Sequence, residues 1–293
     1  RQLSASLMHV GNAPLSLPLF ERLERHQPVK IAILGASVAM SAGCDRNLQP
    51  HARCADFDGS VGAKRWAFNQ RLGGRPVRGF LLQALDWLNA TWPHPQHRVH
   101  NGAADATKAG SLERCMLGAI PSDVDLVLLE FISQPENDIS AIERIVRRLR
   151  KYPKRPPLVH VATRDWCRCT DAATGARVIE DWRYNRSCGA DCGVRCSLPP
   201  QMFRSWRGQE DSMAKLCRHY GISCVSLRDA IYSEVMAAAP GYSMPEVAGD
   251  CVHPSKSTRG PAIMGDLVVH ALQRLWDDAR PLLRASARPE APP

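Results

Sequence analysis

A short apolar run near the start of the chain constrains the fold more strongly than any other feature of the sequence. Residues 30–34 (Lys-Ile-Ala-Ile-Leu) are followed by Gly35, and Ser37 comes two positions later. A run of this length that is rich in Ile and Leu and stops at glycine predicts a buried β-strand. We therefore expect Ser37 at the carboxyl end of a strand, where backbone N–H groups at the start of the next helix can bind an anion. The same pattern is compatible with a serine that merely caps that helix.

Further apolar runs alternate with helical patterns along the rest of the chain. This alternation predicts an α/β protein, a three-layer doubly wound parallel sheet covered by helices on both faces. The carboxyl ends of the strands then meet at one edge, where such sheets bind their ligands. Strands are predicted at 98–100, 125–132, 157–162 and 222–227, and helices at 81–92, 111–117, 211–220 and within 260–278.

An acid and an imidazole stand close together near the other end of the chain. Asp250 and His253 are three residues apart, just before the last helical pattern. At this spacing the carboxylate can meet Nδ1 of the imidazole and leave Nε2 free to take a proton from a serine. The pair is equally compatible with a capping aspartate beside a surface histidine.

With residues 35–37 (Gly-Ala-Ser) near one end and the Asp-x-x-His block near the other, the sequence resembles the SGNH hydrolases, the GDSL-like esterases and lipases. The resemblance covers residues 28–278 and implies a flavodoxin-like fold. By position it makes Ser37 the nucleophile, His253 the general base and Asp250 the acid that orients the base.

The resemblance also implies donors for an oxyanion, and it includes one departure. Ala36 stands where the family usually has Asp, so a carboxylate that braces the loop is missing while no reacting group is lost. Gly102 follows the second strand and would donate its backbone N–H. A side-chain amide from Gln134, or from Asn137 if the chain carries an insertion, would complete the site. The Gly-x-Ser-x-Gly elbow of α/β hydrolases fits less well because Ala39 replaces its second glycine.

The formal net charge of +9 raises the question of a polyanionic partner. The densest basic run, residues 147–155, overlaps a helical pattern of apolar residues, so we interpret its arginines as the solvated face of a helix. No nucleic-acid-binding motif accompanies this run, and we expect no nucleic-acid partner. No apolar run approaches the ~18 residues of a membrane-spanning helix.

The sequence contains 11 cysteines, which is unusual for a cytosolic enzyme. Cys44 with Cys54, and Cys217 with Cys224, close short loops and are candidate disulfides. The odd count leaves either a free thiol or a cysteine with an intermolecular partner. Cys115, in a predicted helix, is our candidate for a buried free thiol. Five more crowd one segment, where zinc is the less favoured alternative because no Cys-x-x-Cys pair is present: Cys167, Cys169, Cys188, Cys192 and Cys196.

Two glycosylation sequons, at Asn89 and Asn185, agree with the cysteine content. Together they predict a eukaryotic protein of the secretory pathway lumen or the extracellular space. We divide the chain into an N-terminal arm (1–27), a hydrolase-like domain (28–278) and a disordered tail (279–293). Within the domain, residues 164–208 form a cysteine-rich insertion whose aromatic residues predict a wall over the site or a small core of their own.

The function implied by the resemblance is that of a serine esterase acting on an O-acyl ester of a carbohydrate or small lipid. The serine attacks the ester carbonyl and the imidazole takes its proton, with no metal or organic cofactor. Two alternatives remain open. One is a polysaccharide O-acyltransferase that uses the same acyl-enzyme, and the other is a carbohydrate-binding relative without catalytic activity.

Overall fold

The computed structural model describes residues 2–39, 70–72, 75–77, 79–104, 107–131, 139–163, 168–171, 177–178, 194–197, 199–247 and 259–286. The strands are β1 (Leu7–His9), β2 (Lys30–Gly35), β3 (Gln70–Leu72), β4 (Arg75–Val77), β5 (Arg98–Asn101), β6 (Leu126–Glu130), β7 (Leu158–Ala162), β8 (Arg168–Asp171), β9 (Arg177–Val178), β10 (Val194–Ser197) and β11 (Ser223–Ser226). The helices are α1 (Gln2–Ser6), α2 (Ala13–Glu24), α3 (Phe80–Thr91), α4 (Ala109–Ala119), α5 (Ile139–Leu149), α6 (Pro199–Tyr220), α7 (Leu227–Met236), α8 (Met244–Val247) and α9 (Gly260–Ser286).

The main sheet has six strands in the order β1-β11-β7-β6-β2-β5. The strands from β11 to β5 are parallel, whereas β1 pairs antiparallel with β11 at one edge. Taken in chain order, the parallel strands lie in the order 2-1-3-4-5 of flavodoxin-like doubly wound sheets. The predicted α/β class and its three-layer, mostly parallel sheet are confirmed.

Helices cover both faces of this sheet, and its central strands are therefore apolar on both sides. Every residue of β6 and β7 is buried. One face packs against α2, α3, α7 and α9, and the other against α4, α5 and α6. Since β2 is followed by α3 on the first face and β6 by α5 on the second, the chain leaves these two neighbouring strands in opposite directions.

The basic helix α5 has the orientation that its sequence predicts. Its apolar positions Ile142, Ile145, Val146 and Leu149 are fully buried against the sheet. The arginines lie on the opposite, exposed face, where two of them pair with the Glu113 carboxylate of α4. The interpretation of the basic run as the solvated face of a helix is confirmed for Arg147 and Arg148. The rest of the run follows the end of α5, and Arg150 is half-buried there and donates to the carbonyl oxygen of Tyr220 at 2.8 Å.

The segment that we expected to lie over the fold as an arm contributes directly to the core. Helix α2 buries Leu19, Phe20 and Leu23. The Phe20 ring packs against Trp92 and Trp276, with ring centroids 6.0 and 5.1 Å apart. Prolines at the start of α2 and within it obscure its helical pattern in the sequence, because proline normally interrupts a helix.

Helix α9 extends beyond its predicted end. Ala279 is buried and Leu283 packs against the core, so the expectation of disorder is wrong for residues 279–286. Ala, Leu and Arg are strong helix formers, and they continue the buried stripe of α9. Residues 287–293 lie outside the described residues. Among the described helices, none is both long enough and apolar enough to cross a membrane.

The cysteine-rich insertion contains a small antiparallel sheet, β10-β8-β9. Its backbone register sets Cys196 opposite Cys169. Outside the insertion, Cys217 and Cys224 form a disulfide between α6 and β11, as their spacing predicts. The remaining predicted partners, Cys44, Cys54, Cys167, Cys188 and Cys192, lie outside the described residues.

Cys115 is free, as expected, but it is exposed and not buried. The buried stripe of α4 consists of Ala109, Leu112, Glu113 and Met116. Position 115 falls outside this stripe in the helical period. The prediction of a buried thiol was wrong because the sequence did not define which face of α4 packs against the sheet.

Candidate active site

The parallel strands of the main sheet end at one edge, and Ser37 lies there directly after β2. The residue is buried, with 3% of its surface exposed. The neighbouring strands β2 and β6 are those from which the chain departs in opposite directions. In doubly wound sheets the crevice at such a point is the usual ligand site. The predicted position of Ser37 at the carboxyl end of a strand therefore coincides with this crevice.

Gly35 permits the close packing of the turn that carries Ser37. A Cβ atom at this position would collide with the Glu130 carbonyl oxygen and with Cβ of Ala39. Glycine is required here because two backbone segments approach each other more closely than a side chain allows. The turn therefore lies directly against the end of β6.

Glu130 is the last residue of β6, lies against this turn, and is fully buried. Its Oε2 accepts a hydrogen bond from the backbone N–H of Ala39 at 3.2 Å. Its Oε1 accepts one from the Thr163 hydroxyl at 2.7 Å, and Thr163 follows β7 at the same edge. The Glu130 carbonyl oxygen also accepts the N–H of Ala36 at 3.3 Å. A buried carboxylate thus connects the ends of three neighbouring strands.

Gly102 lies at the end of β5, beside β2, as predicted. Its N–H donates to the carbonyl oxygen of Ile33 at 2.9 Å, and the N–H of Ala104 donates to that of Gly35 at 3.0 Å. Donation from Gly102 to an oxyanion would require its bond to β2 to break, so this geometry does not favour that role. The glycine has a packing role instead, because a Cβ atom would collide with the carbonyl oxygen of Ala119.

The other predicted site residues, Asp250, His253, Gln134 and Asn137, lie outside the described residues. Their roles stay predictions.

The described residues that flank Asp250 and His253 lie close to the crevice edge. The N–H of Arg259 donates to the carbonyl oxygen of Glu246 at 2.6 Å, which joins the end of α8 to the start of α9. In the first turn of α9, the carbonyl oxygen of Pro261 accepts the Gln83 side-chain amide at 2.8 Å. Gln83 lies in the first turn of α3, a helix that runs from the carboxyl edge of the sheet back toward its amino edge. The start of α9 is therefore near the edge that carries Ser37.

Sequence reasoning did not assign Glu130 and Thr163 to the site. The available signal was a single acidic residue at the end of an otherwise apolar, fully buried strand, since a buried charge normally requires partners. Within the described residues, no group of three or more His, Cys, Asp or Glu side chains is arranged to hold a metal ion.

The similarity of this chain to known proteins is found in its structure and not in its sequence. No family model and no curated protein matches the sequence. Among solved structures, the chain is similar to a two-domain esterase (CEX) active on acetylated mannans, with a TM-score of 0.60 and 16% identity over 99% of this chain. A structure of such an esterase with mannopentaose gives 0.58 and 15%. The chain spans 60% of the length of the first of these structures.

A second similar structure is LAE5, an α/β hydrolase from the metagenome of Lake Arreo, Spain. Its TM-score is 0.50, with 14% identity over 85% of this chain and 98% of that one. At such low identity the likeness shows a shared fold. This shared fold agrees with the flavodoxin-like α/β fold that the resemblance implied.

Proposed function

We propose that this chain is a serine esterase that hydrolyses an O-acyl ester on a carbohydrate. The observation that carries the proposal is the placement of Ser37, buried at the carboxyl end of β2 beside the crevice of a hydrolase fold. A serine in this position follows a parallel strand directly and lies in a turn at the ligand-binding edge of the sheet, which suits attack on a bound carbonyl.

In the proposed mechanism, Ser37 Oγ attacks the ester carbonyl while His253 takes the hydroxyl proton. His253 then gives that proton to the departing alcohol oxygen, which leaves an acyl-enzyme on Ser37. A water molecule, activated by the same imidazole, attacks the acyl carbonyl and releases the carboxylic acid. Asp250 holds the imidazole in the productive tautomer.

The start of α9 supports this assignment of the base. The Gln83 to Pro261 hydrogen bond keeps α9 beginning near the edge that carries Ser37. The start of α9 at Gly260, a few residues after His253 in the sequence, therefore lies near the crevice edge. The oxyanion donor from residues 132–138 is proposed as Gln134, with Asn137 as the alternative.

A carbohydrate ester is favoured over a lipid by the structural neighbours, because the first of them is described as active on acetylated mannans. The acyl group proposed is therefore small, such as acetyl. Transfer to a sugar hydroxyl in place of water would make the chain an O-acyltransferase with the same acyl-enzyme. Assays with an acetylated mannan, with and without a non-acetylated oligosaccharide acceptor, distinguish hydrolysis from transfer.

The test of the serine mechanism uses a fluorophosphonate probe and p-nitrophenyl acetate. We expect Ser37→Ala to abolish both labelling and turnover while the thermal transition changes little. Ser226→Ala is the matched control, because Ser226 is a buried serine at the end of β11 on the same edge. Its hydroxyl donates to Glu210 and caps α7 by accepting the Asp229 N–H, so it should affect stability by ~1 kcal/mol but not labelling.

Peptide mapping of the labelled protein identifies the modified residue. Labelling at Ser37 that disappears in the Ser37→Ala variant supports the proposal. A folded wild-type protein that neither reacts with the probe nor releases acetate from any ester would refute it and leave the carbohydrate-binding alternative.

We also propose a secretory or extracellular location. The Cys217–Cys224 disulfide supports an oxidising compartment. The Asn89 sequon lies in the last turn of α3 with its threonine exposed. Thiol titration of the denatured, unreduced protein should find few free thiols, and peptide N-glycosidase should reduce the mass of protein from eukaryotic cells. Nearly complete titration of all 11 cysteines would contradict this location.

A further inference from the structure

We propose that Glu130 is a positioning residue for the nucleophile: its buried carboxylate holds the turn that carries Ser37 in the reactive geometry. This inference rests on the proposed serine mechanism and adds a residue to it. The described hydrogen bonds of its carboxylate come from the backbone N–H of Ala39 and the hydroxyl of Thr163, so the proposed role is to position the turn.

The contacts of Glu130 lie on both sides of Ser37. Before the serine, the Ala36 N–H donates to the Glu130 carbonyl oxygen at 3.3 Å. After it, the Ala39 N–H donates to Glu130 Oε2 at 3.2 Å. One residue of the central strand thus holds the turn at two points that bracket the nucleophile. Both contacts are made to β6, so the pairing of β2 with β6 positions the turn.

Thr163 fixes the carboxylate in turn. Its hydroxyl donates to Glu130 Oε1 at 2.7 Å, and both residues are buried. A hydrogen bond of this length between buried groups holds the side chain in one orientation. Through this bond, the end of β7 orients the side chain that holds the turn after β2.

The arrangement also accounts for Ala36. The resemblance described above places a loop-bracing Asp at this position, and this chain has no carboxylate there. Glu130 supplies one from the neighbouring strand. The close approach that Gly35 allows brings the end of β6 within reach of the turn.

A control residue at the opposite edge of the sheet separates a positioning role of Glu130 from a contribution to stability alone. Asp125 directly precedes the same strand, and 4% of it is exposed. Its Oδ2 accepts the Lys30 N–H at 2.8 Å, and its Oδ1 pairs with Lys154 Nζ at 2.8 Å. Asp125→Asn therefore disturbs a buried carboxylate just before β6, at the end of the strand away from Ser37.

The experiment measures kcat, KM and the second-order rate of fluorophosphonate labelling, together with the thermal transition. We expect Glu130→Ala to lower kcat and the labelling rate by ~10–100-fold with little change in KM, because a displaced nucleophile loses rate without losing substrate contacts. Glu130→Gln should recover most of the rate. Its amide oxygen can accept the Ala39 N–H while its NH₂ donates to the Thr163 hydroxyl.

Thr163 gives a second pair of variants should Glu130→Ala fail to fold. Thr163→Val keeps the shape and removes the hydroxyl, and it should slow labelling at least threefold, whereas Thr163→Ser should restore it. Asp125→Asn should lower the thermal transition but leave the labelling rate within twofold of wild type.

The outcomes separate this inference from the serine mechanism. If wild-type protein is not labelled at Ser37, the proposed function fails. If wild type is labelled and both Glu130→Ala and Thr163→Val react at the wild-type rate, the role of Glu130 is refuted while the serine mechanism stands. Equal loss in Asp125→Asn would also refute it, because stability alone would then explain the effect.

Discussion

The buried His160 gives a quantitative prediction about acid stability. It lies in the middle of β7, in register between Leu129 of β6 and Cys224 of β11. It is fully buried, and among the described residues neither ring nitrogen has a hydrogen-bond partner. An imidazole in such an apolar site is held neutral because burial disfavours its charged form.

Burial lowers the pKa of His160 from 6.5 to about 3. Between these values the unfolded chain binds a proton that the folded chain excludes. The free energy of unfolding therefore does not depend on protonation of His160 above about pH 6.5 and decreases as the pH falls from 6.5 toward 3. Proton linkage at this single site gives a loss of ~2 kcal/mol at pH 5 and ~3 kcal/mol at pH 4, relative to neutral pH.

Replacing the ring with an apolar side chain of similar size removes this pH dependence of stability. We expect His160→Leu to raise the free energy of unfolding at pH 7.5 by ~1–3 kcal/mol, since it eliminates unpaired buried nitrogens. The advantage should grow by a further ~2 kcal/mol at pH 5. His97→Leu is the contrasting variant, because His97 Nδ1 accepts the Val29 N–H and Nε2 donates to the Trp92 carbonyl. Its loss should destabilise the protein at pH 7.5.

Urea unfolding at pH 7.5, 6 and 5 measures these differences directly for the three proteins. The reasoning predicts that the curves of unfolding free energy against pH for wild type and His160→Leu diverge as the pH falls. Parallel curves between pH 7.5 and 5 would show that the folded protein accepts a proton at His160, and the argument from burial would be refuted.

Two further variants test the packing of the fold. Gly35→Ala should cost ~1–3 kcal/mol and slow probe labelling, because its methyl group collides with the end of β6 at Glu130; unchanged urea unfolding and labelling would contradict the close approach. Replacing both Cys217 and Cys224 with Ala should cost ~2–3 kcal/mol through the loss of a short closed loop. Insensitivity of the wild-type thermal transition to reductant would count against that disulfide.

The strands of the sheet and the position of Ser37 were predictable because their signals are local. β2 and β6 are apolar runs that end at a glycine or an acid, and parallel strands necessarily end at one edge. The order of the strands followed only from the resemblance, since an apolar run carries no information about its neighbour.

The remaining features depend on contacts between distant parts of the chain. Glu130 and Ala39 are separated by 91 positions, and no local pattern indicates their hydrogen bond. The register that pairs the Gly102 N–H with the carbonyl oxygen of Ile33 is also absent from the local sequence. The face on which Cys115 lies was likewise set by how α4 packs on the sheet.

Strand β1 has a consequence for how this protein behaves at high concentration. An exposed parallel strand such as β11 would present a row of unpaired backbone groups to any other molecule and invite aggregation. β1 covers that edge with three residues and an irregular register between Leu7 and His9. A short, distorted outer strand is a poor template for further pairing. The segment before β2 thus protects the β11 edge of the sheet from edge-to-edge association, a task separate from the chemistry at the carboxyl ends of the strands.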